Sequence, residues 1–262
     1  MELVNRYRYI IVFVMITIIM LIPVNIANSI NKHTSEWGNL SFFDNVFYMV
    51  GGVEFIETDN IKEIKIPFAW MAIQFLCGLV TLDYVESDLK GIGKTILLNT
   101  KSKTIWWTSK CLCIILMTTA VYGILYVIAI VVSGINHTVA GALHFDLLKV
   151  VCSLKNDYVY LDKMNVYLLI VPLIVSVCTS LIQTVLAQII SPVISLAVIL
   201  SADVIAAFSN NRALIGNMGM LLRSNMCADN GINLVYAILA SVITATLAVA
   251  AGGMYFCRRD II

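Results

Sequence analysis

Apolar residues arrive along this chain in long, nearly unbroken runs, each close to the roughly 20 residues that a helix needs to cross hydrocarbon. The first covers 9–28 (YIIVFVMITIIMLIPVNIAN), the second 65–84 and the third 110–133. Residues 166–208 are apolar almost throughout and too long for one helix. Pro192 divides them, because proline suits the first turn of a helix and ends the one before it; the pattern predicts spans at 166–188 and 192–209. The last run covers 232–256. The expected fold is all-α: one polytopic membrane domain over 1–262 with six transmembrane helices. Arg6 and Arg8 ahead of the first run resemble the start of a signal peptide. Its apolar core is long for one and Ala27-Asn28-Ser29 is a poor cleavage site, so a retained helix is expected.

Composition strengthens this picture. The chain is 60% hydrophobic and 13% charged, with a mean hydropathy of +0.91, whereas soluble domains sit near half apolar and about a quarter charged. A net charge of +1 gives no ground for a nucleic-acid partner. Of the seven cysteines, Cys77, Cys111, Cys113, Cys178 and Cys257 fall in or beside apolar runs, where a thiol acts as a small hydrophobe. Cys152 and Cys227 lie in polar loops, where pairing stays open.

Orientation follows from basic residues near the span ends. With a cytoplasmic N-terminus, the inner segments hold nine of the 17 Lys and Arg: Arg6, Arg8, Lys90, Lys94, Lys101, Lys103, Lys110, Arg258 and Arg259. The outer loops are about twice as long in total, so basic density favours this direction and puts both termini in the cytoplasm. Acidic residues crowd the first outer loop: Glu36, Asp44, Glu54, Glu57, Asp59 and Glu63.

The stretch DLKGIGKT at 88–95 sits in the second inner segment, about 85–109. A phosphate-binding loop needs an additional glycine where Asp88 stands, and a strand where a membrane helix stands, so nucleotide binding is not expected here. On a helix, Leu89, Ile92 and Ile96 share one narrow arc and Lys90, Lys94 and Lys101 the opposite one. Leu97 and Leu98 spoil the pattern, and Gly91 and Gly93 weaken the helix. An amphipathic cytoplasmic helix is expected, lying on the membrane surface or docked to a partner. Trp106-Trp107 mark the interface where the third span begins.

The segment ESDLKGIGKTILLNTKSKTIWWTSKCLCIIL resembles the first cytoplasmic loop of the membrane subunits of type-2 ATP-binding-cassette (ABC) transporters. That loop carries an acid and a glycine after the second span, a short helix ending in two leucines, a basic turn, then aromatics and a lysine. The matching positions are Glu86 or Asp88, Gly91, Leu97-Leu98, Lys101, Lys103, Trp106-Trp107 and Lys110. The six spans, the tight fourth turn and the basic tail YFCRRDII fit too. The resemblance covers the chain in layout and about 30 residues in pattern. It implies a plasma-membrane permease subunit without its own ATPase site, working with a second membrane subunit, identical or homologous. Two copies of a separate ABC ATPase, which hold the ATP and magnesium, would dock on Glu86, Asp88, Gly91, Lys94, Leu97, Leu98, Lys101 and Lys103. The expected activity is export of a hydrophobic or amphipathic substrate such as a peptide antibiotic, toxin or lipid-like molecule.

Asp203 lies inside the fifth run, and a carboxyl group in hydrocarbon normally faces protein or a wet cavity. Gln183 and Gln188, with Ser176, Thr179 and Ser180, give the fourth span a polar stripe, and Gln74 adds to it. Hydrogen bonding between helices and lining of a substrate path are both open for these residues. Gly252-Gly253 and the nearby alanines form a small-residue face suited to close helix packing. Within 210–231, residues 213–222 are apolar but short, which suits a re-entrant or interfacial segment before the sixth span. No metal-ligand spacing, H-E-x-x-H or G-x-S-x-G occurs. The competing readings are an ion-coupled secondary transporter, for which Asp203 is the one charged candidate, and a membrane scaffold that transports nothing.

Overall fold

A computed structural model describes residues 2–34, 39–55, 66–100, 102–136, 138, 143–152, 154, 164–228 and 230–258. Among them every regular element is helical, apart from one isolated bridge between Ser224 and Ile232. The protein is an all-α, multi-pass membrane protein. Five stretches are long and apolar enough to cross a membrane: Tyr7–Ser29, Phe68–Lys90, Lys103–Ile135, Met164–Ile189 and Leu234–Arg258. They lie in helix α1 (Glu2–Thr34), the pair α3 (Phe68–Thr81) and α4 (Tyr84–Lys90), α6 (Lys103–Ile135), α8 (Met164–Ile189) and α11 (Leu234–Arg258). Large apolar side chains point outward from these helices, among them Phe13, Ile18, Leu116, Leu239 and Leu247. Water would penalise that surface, and lipid accepts it.

The chain breaks at 190–191, beside the expected proline: α9 (Pro192–Ala207) begins with Pro192 in its first turn and Ser191 as its cap. α9 is shorter than the five, at 16 residues, or about 24 Å. Its neighbour α3 is shorter still, at 14 residues, and the two run antiparallel over the same depth. Ile189 and Leu186 close α8 on one side of the turn, while α8 packs against α6, α9 and α11 and forms the hub of the bundle.

The bundle has two distinct ends. At one, the start of α1 meets the end of α3: Arg8 donates to the Val80 carbonyl at 3.1 Å and forms a buried ion pair with Asp83. The C-terminus of α11 arrives there too, where Lys103 Nζ donates to the Cys257 carbonyl at 3.1 Å. At the opposite end lie α2 (Phe42–Val50), α7 (Phe145–Val151) and a folded segment over 209–232. Two short helices thus stand inside stretches expected to be plain loops. α2 carries its own signal: Ser41 and Asp44 form a reciprocal capping box directly before an apolar run. Asp44 is fully buried and also accepts from the backbone and ring nitrogens of His144, at 2.8 and 2.9 Å, which fastens α7 to α2.

The 213–222 segment, expected to be re-entrant or interfacial, is short and folded. It is a single helical turn, α10 (Ile215–Met218), followed by a 3-10 turn at Leu221–Arg223. Residues 216–224 are all buried, so this piece is a plug folded into the end of the bundle. None of the seven cysteines forms a disulfide, so Cys152 and Cys227 are not joined.

Candidate functional site

The first candidate region is the elbow after α3. The expectation of one amphipathic helix is corrected here: α4 stops at Gly91, and α5 (Ile92–Thr100) starts anew. The Asp88 carboxyl folds back over Gly93, where any Cβ would collide with it. The break turns α5 relative to α4, so Ile96 is exposed while Leu97 is buried with Val85 and Trp106. Glu86 pairs with Lys90 on an open face at 2.7 Å, and Lys94 is exposed. The Leu98 side chain and Lys101 lie outside the described residues.

This elbow is fixed to two long helices. Lys110 of α6 pairs with Asp88 at 2.8 Å and stands 5.1 and 5.2 Å from the ring centroids of Tyr84 and Trp106. Trp106 stacks on Phe256 of α11 at 4.9 Å with the planes 10° apart. Trp107 donates from Nε1 to the Val249 carbonyl at 2.9 Å, and its ring lies against Gly252 and Gly253. The small-residue face of the last helix is therefore a seat for this indole. Stacked aromatic pairs and a cation over a ring contribute about 1 kcal/mol each. The sequence drew attention to the tryptophans and Lys110. Phe256 was missed because its partners are more than a hundred residues away.

The second region is a polar seam between α3, α8 and α9, which brings Gln74, Gln183 and Asp203 together. Ser176 Oγ donates to Gln74 Oε1 at 3.1 Å and bonds the Tyr122 hydroxyl at 2.8 Å. Gln183 donates from Nε2 to the Gly78 carbonyl at 2.9 Å. A Cβ at Gly78 would stand 2.5 Å from Leu196 and 2.7 Å from Gln183 Oε1, so this glycine lets α3, α8 and α9 close on one another. Asp203, 4% exposed, lies toward the far end of α9; a Cβ on Gly216 would meet its Oδ1 at 3.1 Å and the Trp70 ring at 3.3 Å. Gln74 Nε2, Gln183 Oε1, Ser180 Oγ and Asp203 Oδ2 are buried without a hydrogen-bond partner among the described residues. A group so left costs about 1–3 kcal/mol, a burden that points to use.

At the far end of the seam sits Arg223, fully buried. Its guanidinium donates to the carbonyls of Ala206, Ala207 and Ser209 at 2.8, 2.7 and 2.8 Å, ending α9. It also donates to the Val53 and Glu54 carbonyls at 3.0 and 3.4 Å and to Asn217 Oδ1 at 2.5 Å. Burial pushes its pKa down to about 10, which leaves it charged at neutral pH. Its sequence signal was a lone arginine in an otherwise apolar MLLRS. Among the described residues no group of His, Cys, Asp and Glu is arranged to hold a metal. Comparison with family models, with curated proteins and with solved structures returns no match for this chain.

Proposed function

We propose that this chain is the permease subunit of an ATP-driven exporter of the type-2 ABC kind, and that the elbow is where separate ATPase subunits dock. In this reading six helices cross the plasma membrane, α9 being the fifth of them despite its length. The elbow end, with both termini, faces the cytoplasm. The observation that carries the reading is the attachment of the elbow. It presents Lys94 outward while its inner face is locked to α6 by Asp88–Lys110, and Val85 and Leu97 are buried in the cluster where Trp106 of α6 stacks on Phe256 of α11. A push on α5 is thereby delivered to two long helices at once. The elbow also lies at the other end of the bundle from α2 and its acidic Asp44–Glu54 stretch, as a cytoplasmic loop requires. The basic residues Arg8, Lys103 and Arg258 gather at that same end. The chain supplies the moving wall, and ATP and magnesium belong to the partner. The substrate is a hydrophobic or amphipathic molecule, and a second membrane subunit completes the path.

The test is co-purification with a candidate ATPase. Reversing the charges of Lys94 and Lys101 to Glu lowers recovery of the ATPase or its stimulated activity; unchanged values for both overturn the docking role. One observation favours a second reading. The Asp203 carboxyl, buried in the seam with Oδ2 unpartnered among the described residues, is the kind of group that carries a coupling ion in a secondary transporter. That reading expects an ion gradient to drive uptake without ATP and Asp203→Asn to abolish it.

A further inference from the structure

Two cavities lie at the two ends of the seam. At the elbow end, a cavity of about 190 Å³ is lined by Thr81, Val85, Glu86, Thr184, Gln188 and Ser191. At the opposite end, one of about 360 Å³ is lined by Tyr48, Glu54, Phe68, Trp70, Cys152 and Leu222. The larger is in the range of small-molecule sites, about 300–1,000 Å³.

The seam connects them residue by residue. Thr184 of the inner cavity adjoins Gln183, and Thr81 donates to the Gly78 carbonyl at 3.4 Å, the same carbonyl that Gln183 holds. One turn further along α3, Gln74 bonds Ser176. Asp203 follows, and Trp70 closes the line, with its ring edge beside Gly216 and Asp203 and its body in the wall of the outer cavity. Contact at Gly78 and at Gly216 shuts the line in this conformation. The charged side chains that line the two cavities and the seam between them are acids: Glu86, paired with Lys90, at the entrance, Asp203 within, and Glu54 at the exit, while the Arg223 cation at the far end is taken up by five carbonyls and Asn217. The aromatic rings of Tyr48, Phe68 and Trp70 stand with Glu54 around the outer cavity. Acids joined to aromatic faces are the chemistry that holds an organic cation.

We propose that the transported molecule is an amphipathic amine, whose ammonium group moves from the inner cavity to Asp203 and on to the outer cavity while its apolar part rides on the aromatic walls. This rests on the transport reading above, but not on ATP as the energy source. A bound ammonium gives Asp203 Oδ2 and Gln183 Oε1 the donors that they lack in the closed state. A neutral molecule would leave the carboxyl unmatched, and an anion would meet like charge at Glu86, Asp203 and Glu54.

The experiment uses the full chain in phosphatidylcholine nanodiscs with no ATPase present. The probes share one fluorophore: dansylcadaverine (cationic), its N-acetyl derivative (neutral) and dansyl-6-aminohexanoate (anionic). Saturable binding above that of empty nanodiscs should be about tenfold or more tighter for the cation than for the neutral probe, the size of one charge-assisted hydrogen bond. Asp203→Asn should erase that preference, and Asp203→Glu, which keeps the charge, should retain it. Equal affinity for the cationic and neutral probes overturns the proposal, as does a preference that survives Asp203→Asn. If Asp203→Asn does not fold, Glu54→Gln at the outer cavity should weaken cation binding alone, and equal loss of the neutral probe overturns it. ATPase co-purification plays no part here, so failure of the docking role and failure of the amine preference are read separately.

Discussion

A buried or half-buried cation organises each end of this molecule, and the two are built from different material. Lys110 at the elbow is held by side chains alone: the Asp88 carboxylate, the Tyr84 hydroxyl at 3.4 Å, and two aromatic faces. Arg223 at the other end is held almost wholly by backbone, with five carbonyls and one amide oxygen around a planar fork. Side chains can change rotamer without disturbing the helices that carry them. Carbonyls cannot move without moving the chain. The elbow end is therefore a latch that can be released, and the Arg223 end is a clamp. On the transport reading proposed above, the latch is where force enters and the clamp is the fixed point against which helices swing.

The largest expected effect comes from breaking the clamp. Arg223→Leu removes six hydrogen bonds at once and takes the guanidinium from the carbonyls of Ala206, Ala207 and Ser209 at the end of α9. A buried acceptor left without its donor costs about 1–3 kcal/mol, and several are left here together. Arg223→Lys recovers only a fraction, because an ammonium cannot reproduce the planar fork. Thermal unfolding in detergent, followed by the monodisperse fraction, reads both. If Arg223→Leu unfolds at the same temperature as the wild type, the clamp does not exist.

The latch should be cheaper to open. Lys110→Met keeps the apolar stem against Tyr84 and Trp106 and removes the charge from Asp88. The expected loss is about 1–2 kcal/mol, from one part-buried ion pair and its cation–ring contacts. On the docking reading the same variant still binds the ATPase but stimulates it less, because α5 keeps its outward face while its grip on α6 is loosened. A destabilisation as large as that of Arg223→Leu would show the two ends to be alike.

How much of this was readable beforehand depends on where the partners lie. The helix break at Pro192 was legible because proline enforces it locally, and Asp203 was conspicuous as an acid in an apolar run. The seam was visible one residue at a time, since Gln74, Gln183 and Asp203 each interrupt a greasy stretch. Their meeting was not visible, because it depends on the antiparallel approach of α3 and α9 over Gly78. The arc drawn through Leu89, Ile92 and Ile96 failed because it assumed an unbroken helix. Asp88 folding over Gly93 resets the phase, and Leu97 turns inward instead. Arg223 drew no attention in the sequence because its acceptors are mostly backbone atoms supplied by 53–54 and 206–209, to which no side-chain pattern points.

The smallest effect separates the two ends by chemistry alone. Cys257, on the last turn of α11 at the latch, is exposed. Cys227, beside the clamp, is partly buried, and burial together with the nearby Glu54 raises its thiol to about 12 against a hydrogen bond from Ser224 that lowers it. A raised thiol pKa means that the folded state disfavours the thiolate. Below the ordinary thiol pKa of about 9 both states carry the neutral thiol and stability is unaffected; between about 9 and 12 the unfolded chain loses the proton first, and stability falls as pH rises. Near pH 8 the thiolate fraction at Cys227 is about a thousandfold below that of an ordinary thiol, and alkylation should slow in proportion. Two single-cysteine proteins, each retaining one of these thiols, measure it. The Cys257 protein should react with iodoacetamide at an ordinary rate. The Cys227 protein should react far more slowly, and raising the pH from 8 to about 9 should increase its rate without closing the gap. Equal rates at pH 8 would mean that the clamp end opens to water as readily as the latch does, and the contrast between a fixed and a releasable end would fail.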